Sequence, residues 1–144
     1  MAQLTLETAD RIIDAALAAR RQANAKPICV VVLDGSGHMV ALKREDGASM
    51  FRPDVALGKA WGCVAMGDGG RALAKKARDN PAFFTGLAAT SNGRLLPQPG
   101  GVLVKASTGA VLGAVGISGD TGANDEAFAV AGIAAAGFVA DTGE

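Results

Sequence analysis

The chain has 144 residues, the size of one ordinary domain, and 49% of them are apolar, enough for a core without disulfides. Its 14 basic and 14 acidic side chains cancel to a formal net charge of zero. This excludes the basic face of a nucleic-acid binder and the polybasic segment of a membrane-surface binder, and no stretch reaches the roughly 20 apolar residues of a membrane span.

Residues 5–24 read as a helix. Leu6, Ala9, Ile12, Ile13, Ala16 and Leu17 recur at three-and-four spacing as one apolar stripe. Thr5 suits the N-cap, and Arg20, Arg21 and Lys26 place positive charge toward the C-terminal end. The opening MAQLTLETADRIIDAALAARRQ lacks a basic start and a continuous apolar run, so no export signal and a cytoplasmic location are expected. In that setting Cys29 and Cys63, far apart and in no CxxC pair, read as small core residues rather than a disulfide.

Pro27 opens a new element. ICVVVLD is apolar on both faces and predicts a central strand. Asp34-Gly35-Ser36-Gly37 is a turn, and HMVALK alternates as its antiparallel partner, with His38 on the face of Val40 and Leu42. Residues 53–66 are helical, with Pro53 early and Lys59 the one charge inside the apolar run VALGKAWGCVAM. GDGG at 67–70 breaks that helix, and RALAKKARD forms a short basic one. Residues 80–101 show no clean periodicity and read as a long loop that must partly pack through Phe83, Phe84, Leu95 and Leu96.

GVLVKA and AVLGAVGIS form a second hairpin around Ser107-Thr108-Gly109. The last helix, EAFAVAGIAAAGFVA, carries no charge from Ala127 to Ala140. A helix apolar all round needs burial on more than one side. A second subunit packed on its Ala/Gly-rich surface, near Gly132 and Ala136, is the simplest cover, so a homo-oligomer is expected. The order predicts an α+β single domain spanning 1–144, an antiparallel sheet flanked by helices.

Nucleotide-binding motifs are absent, as are HExxH and any Cys/His cluster, so no metal site is expected. Four segments are candidates for chemistry. GISGDTGANDE offers Gly119, Asp120, Thr121 and Gly122 where a strand ends and a helix begins. Small anions bind such places, although capping alone also explains the residues. Gly100 and Gly101 allow close backbone approach to a ligand or a neighbouring element. Arg44, Glu45 and Asp46 are a charged strand end, either solvated or facing a polar-mouthed pocket. His38 is either polar surface at a hairpin or a ligand, acid or base.

The stretches "VVLDGSGHMVALKREDGA", "ALGKAW", "LPQPGGVLV" and "GAVGISGDTGANDEAFAVAGIAA" resemble the GlcG/HbpS family, which includes the C-terminal domain of PduO-type proteins. The resemblance covers nearly the full chain. It implies a five-stranded antiparallel sheet flanked by helices, usually in larger oligomers, and some members bind haem. The chain departs from the family in lacking an ExxE pair and any histidine in the first helix, so neither an iron site nor an axial ligand carries over from there.

Two functions follow. The first is a cytoplasmic oligomer that holds haem or a related tetrapyrrole. Its iron ligand would come from His38, Met39, Met50, Met66 or Thr121, and its propionate partners from Arg44, Arg52 or Lys59. The second is an isomerase, tautomerase or hydrolase of a catabolic pathway acting on an organic acid. There Gly100, Gly101 and the 119–122 turn frame a pocket, Arg44 or Arg52 holds the carboxylate, and His38, Asp46 or Glu45 moves protons. Either function takes a small-molecule ligand.

Overall fold

A computed structural model describes residues 3–144; Met1 and Ala2, at the start of the stretch read for an export signal, lie outside the described residues. In chain order the elements are α1 (Leu6–Gln22), β1 (Cys29–Asp34), β2 (Met39–Arg44), α2 (Arg52–Met66), α3 (Gly70–Asp79), α4 (Pro81–Thr90), β3 (Gly101–Lys105), β4 (Val111–Ser118), α5 (Gly122–Ala135) and β5 (Val139–Asp141). The five strands form one antiparallel sheet in the order β2-β1-β4-β3-β5.

The sheet is covered on both faces, which explains why β1 is apolar throughout. Val30, Val32, Val102, Val104, Val115 and Ile117 pack under α1 and α5 through Ile12, Ile13, Phe128 and Ile133. Cys29, Val31, Leu33, Leu103 and Ala114 pack under α2 through Ala56, Ala60 and Cys63. β1 is an interior strand, and β4 is the middle one. Thr5 caps α1 by accepting the Thr8 N–H at 3.1 Å. Leu6, at the head of the predicted stripe, is exposed, because α1 turns its inner face from Thr8 onward.

Three expectations are corrected. The 80–101 loop contains α4, a helix that buries only Phe84 and therefore shows no apolar stripe. The last helix ends at Ala135 rather than continuing to Ala140; Gly137 has φ +86, and the chain returns as β5 against Leu103, Val104 and Lys105. His38 does not share a face with Leu42 by simple alternation. The β1–β2 register slips between Val32 and Leu33, leaving Val40 as the extra residue of a bulge.

α5 buries Phe128, Ala129, Gly132 and Ile133, and its outward face is alanine at 127, 131, 134 and 135. The sheet and α1 thus cover the large side chains within one chain. Beyond β5, the Thr142 carbonyl accepts the Arg71 N–H at 3.0 Å, which ties the chain end to the start of α3. Among the described residues no helix is long and apolar enough to cross a membrane.

Candidate functional site

The one charge in the apolar run of α2 is buried. Lys59 Nζ donates to the Ile117 carbonyl at 2.9 Å and to Asp125 Oδ2 at 3.3 Å. Asp125 is 1% exposed, and its Oδ1 accepts the Asp120 N–H at 3.0 Å. Burial pushes Lys59 below the ordinary lysine value and Asp125 above the ordinary carboxylate value, while the attraction between the two opposes both shifts.

Gly100 and Gly101 lie over this lysine. A Cβ on Gly100, which has φ +112, would fall 2.7 Å from Lys59 Nζ, and one on Gly101 would fall 2.6 Å from the Lys59 carbonyl oxygen. The close approach expected of these glycines is therefore to α2. The space read as a glycine-framed pocket is filled by Lys59 and Cys63.

The 119–122 turn is likewise tied into the fold. Thr121 is the N-cap of α5 and accepts the Asn124 N–H at 3.2 Å. Asp120 accepts the Lys26 N–H at 3.0 Å and the Asn124 side-chain amide at 2.6 Å. Its carboxyl is held below the ordinary range, first by the Thr121 N–H and then by these two donors. A Cβ on Gly119 would fall 2.2 Å from the Pro27 carbonyl oxygen, and one on Gly122 would fall 3.3 Å from the Pro99 Cβ.

The 44–46 cluster opens onto a surface cavity of about 590 Å³, lined by Leu17, Arg20, Lys43, Arg44, Glu45 and Asp46. Glu45 is not free within it. The Arg20 guanidinium grips both its oxygens, with Nε to Oε1 at 2.9 Å, and Oε1 also accepts the Ile28 N–H at 3.0 Å. Arg44 donates to the Ala48 carbonyl at 2.8 Å and has no carboxylate partner among the described residues. Asp46 is exposed.

Arg52 lies at the start of α2, where Nε donates to Ser49 Oγ at 3.2 Å and Nη1 to Ser118 Oγ at 3.1 Å. It lines a second cavity of about 280 Å³ with Lys26, Pro27, Gly47, Ala48, Ser49 and Gly119.

His38 lies elsewhere. Its N–H and that of Ser36 each donate to Asp34 Oδ1 at 3.0 Å, while its side chain is 82% exposed with Nδ1 3.9 Å from Asp34 Oδ2. Register pairs Cys29 with Ser118 and Asp34 with Gly113. The His38 end of β1 is thus about 17 Å along the strand from the Ser118–Thr121 end, at roughly 3.3 Å per residue. The structure brings Lys59, Gly100 and Gly101 together, and gathers Arg44, Arg52 and Gly119 around neighbouring cavities. It does not bring His38 to either group.

Sequence reasoning passed over Asp125 as a partner, and Ser49 and Ser118 entirely. The signal for Asp125 was the isolated Lys59: a charge in a buried helix needs an opposite charge nearby. The two serines carry no motif, and only the fold brings them to Arg52.

Residues 4–134 match the family model described as haem degrading protein HbpS-like. The chain is 29% identical over 129 residues to an uncharacterised 15.0 kDa protein of the dhaT-dhaS intergenic region of Citrobacter freundii, covering 90% of this chain and 89% of that one. Among solved structures it is similar to a PduOC:heme complex, with a TM-score of 0.85 and 26% identity over 95% of this chain and 97% of that one. It is also similar to HbpS, with a TM-score of 0.80 and 30% identity over 93% of this chain and 90% of that one.

Proposed function

The chain belongs to the HbpS-like family, and from that membership we propose that it binds haem or a related tetrapyrrole, as a single-domain homo-oligomer of the cytoplasm. The observation that carries this reading is the likeness, over 95% of the chain, to a protein solved with haem.

The residues present fit a surface-held tetrapyrrole better than an enclosed one. The cavity at Arg44 offers cations for propionates, with Lys43 and Arg20 beside it, yet no imidazole or thioether lines it. Of the soft or nitrogen ligands, His38, Met39 and Met50 face outward, with His38 82% and Met50 91% exposed, and Met66 lines a separate cavity of about 200 Å³ beside Trp61. In the single chain these ligands and the Arg44 cavity do not enclose one space. A second copy would supply the missing wall, and the alanine face of α5 would let its backbone approach closely. When bound, the haem iron would supply the redox and ligand-binding chemistry; the chain's own part is to hold propionates and exclude water.

The test is a haem titration followed in the Soret region on the wild type and His38→Ala, with light scattering before and after loading. Saturable binding with a change in subunit number supports the reading, and a band shifted in His38→Ala assigns the iron ligand. Absence of saturable binding overturns it.

A further inference from the structure

The 280 Å³ cavity at the head of α2 gathers cations that no carboxylate neutralises. Most of the lysines and arginines are matched to a carboxylate: Arg20 and Arg21 to Glu45, Lys43 to Asp10 and Asp14, Lys59 to Asp125, Arg71 to Glu126, Lys75 to Asp79, Lys76 to Asp68 and Lys105 to Asp141. Among the described residues Arg11, Lys26, Arg44, Arg52, Arg78 and Arg94 have no such partner; Lys26 and Arg52 line this cavity together, and Arg44 reaches its edge by donating to the Ala48 carbonyl.

The donors are also arranged for an acceptor. Arg52 spends Nε on Ser49 Oγ and Nη1 on Ser118 Oγ, which fixes the plane of the guanidinium and leaves Nη2 with no acceptor among the described residues. Ser49 Oγ accepts from Arg52, so its own proton has no protein acceptor among the described residues and can be donated. The Lys26 ammonium adds a third donor. No acidic side chain lines the cavity. The nearby Asp120 is occupied by the Lys26 N–H and by Asn124, and it attracts the Lys26 ammonium without an ion-pair contact. The remaining walls are Pro27, Ala48 and the two glycines, which carry no polar side-chain atom.

We infer that this cavity is a binding site for a small organic carboxylate: Arg52 Nη2, Ser49 Oγ and Lys26 Nζ donate to the carboxylate, and its carbon body lies against Pro27 and Ala48. The volume suits a body of a few carbons and excludes a porphyrin ring. The apolar walls select an organic acid over inorganic phosphate, whose oxygens would face Pro27 and Ala48 without donors. The site is separate from the tetrapyrrole reading and does not depend on it.

Calorimetric titration with glycolate, succinate and inorganic phosphate tests this on the wild type, Arg52→Ala, Lys26→Ala and, as a remote control, Lys75→Ala. Lys26→Ala removes an exposed side chain with no bonds of its own, so its fold is preserved even where Arg52→Ala loosens the start of α2. The expected result is saturable binding of at least one carboxylate. That binding weakens at least tenfold in Arg52→Ala and several-fold in Lys26→Ala, stays unchanged in Lys75→Ala, and falls as salt rises. No saturable binding by the wild type, equal binding by folded Lys26→Ala and Arg52→Ala, or phosphate binding tighter than both carboxylates would each overturn the inference. Haem binding is read separately in the Soret region, so failure here leaves that result standing.

Discussion

Lys59 Nζ and Asp125 Oδ2 lie 3.3 Å apart where α2 meets the first turn of α5 beside the end of β4, with Asp125 1% exposed. The residues are 66 positions apart in sequence, so their meeting measures whether α2 and α5 close correctly on the sheet.

Removing one partner leaves a buried charge alone. Asp125→Ala is expected to cost about 3–5 kcal/mol in urea unfolding. Lys59→Met with Asp125→Leu should recover most of that, though not all, because the Asp120 N–H still loses its acceptor. The pH dependence follows from the shifts. The folded value of Asp125 is raised, so the folded chain holds a proton that the unfolded chain has released. Stability from this group therefore falls as pH rises from the ordinary carboxylate value through the folded one. The folded value of Lys59 is lowered, so its contribution rises with pH as the ordinary lysine value is approached from below. Asp125→Asn should flatten the acid-side slope. An unchanged slope would assign it to other groups.

Glu45 pins α1 to the sheet. It takes both the Arg20 guanidinium and the Ile28 N–H while only 12% of its side chain is exposed. Glu45→Ala should lower stability by about 3 kcal/mol, and Glu45→Gln by less, because the amide oxygen still accepts from Ile28. A residue poised only for proton transfer would leave the melting curve unchanged on either substitution, and that result would sink the structural role.

The two thiols are both buried and free. Burial raises Cys29 to about 11, against a small lowering by Arg44, and raises Cys63 to about 12. At pH 8 fewer than about one in a hundred of either would be thiolate, the reactive form. Native protein should resist a disulfide-exchange reagent over hours, and both cysteines should react within minutes in denaturant. Rapid labelling of the native chain would mean that the α2 face of the sheet opens.

Much of the fold was legible because its signals are local. The period of α1, the Asp34–Gly37 turn and the Ser107–Gly109 turn each need only a few adjacent residues. α4 was hidden because a helix with Phe84 as its one buried residue has no stripe to read. β5 was hidden because three residues, Val139–Asp141, become a strand only where β3 offers an edge. The bulge at Val40 was equally silent, and it breaks the alternation that set His38 on the face of Leu42. At the site, what approaches Gly100 is Lys59 from α2, a contact that sequence separation conceals. Arg44 and Arg52 were visible as cations. Their lack of acid partners was not, because that depends on where every other carboxylate goes.

The short β5 and the residues after it also act as a guard on the sheet. A β3 edge left open would present a row of unpaired N–H and C=O groups to any passing chain. β5 covers Leu103 to Lys105, the Lys105–Asp141 pair clasps it at 2.6 Å, and the start of α3 sits so near that a Cβ on Gly70 would fall 2.8 Å from the Gly101 carbonyl oxygen. Trimming the chain after Phe138 would uncover that edge while leaving both hydrophobic layers in place. The resulting fault would be self-templated strand pairing between folded copies, turbidity rather than loss of helix, and a cosmetic truncation of the C-terminus would be enough to produce it.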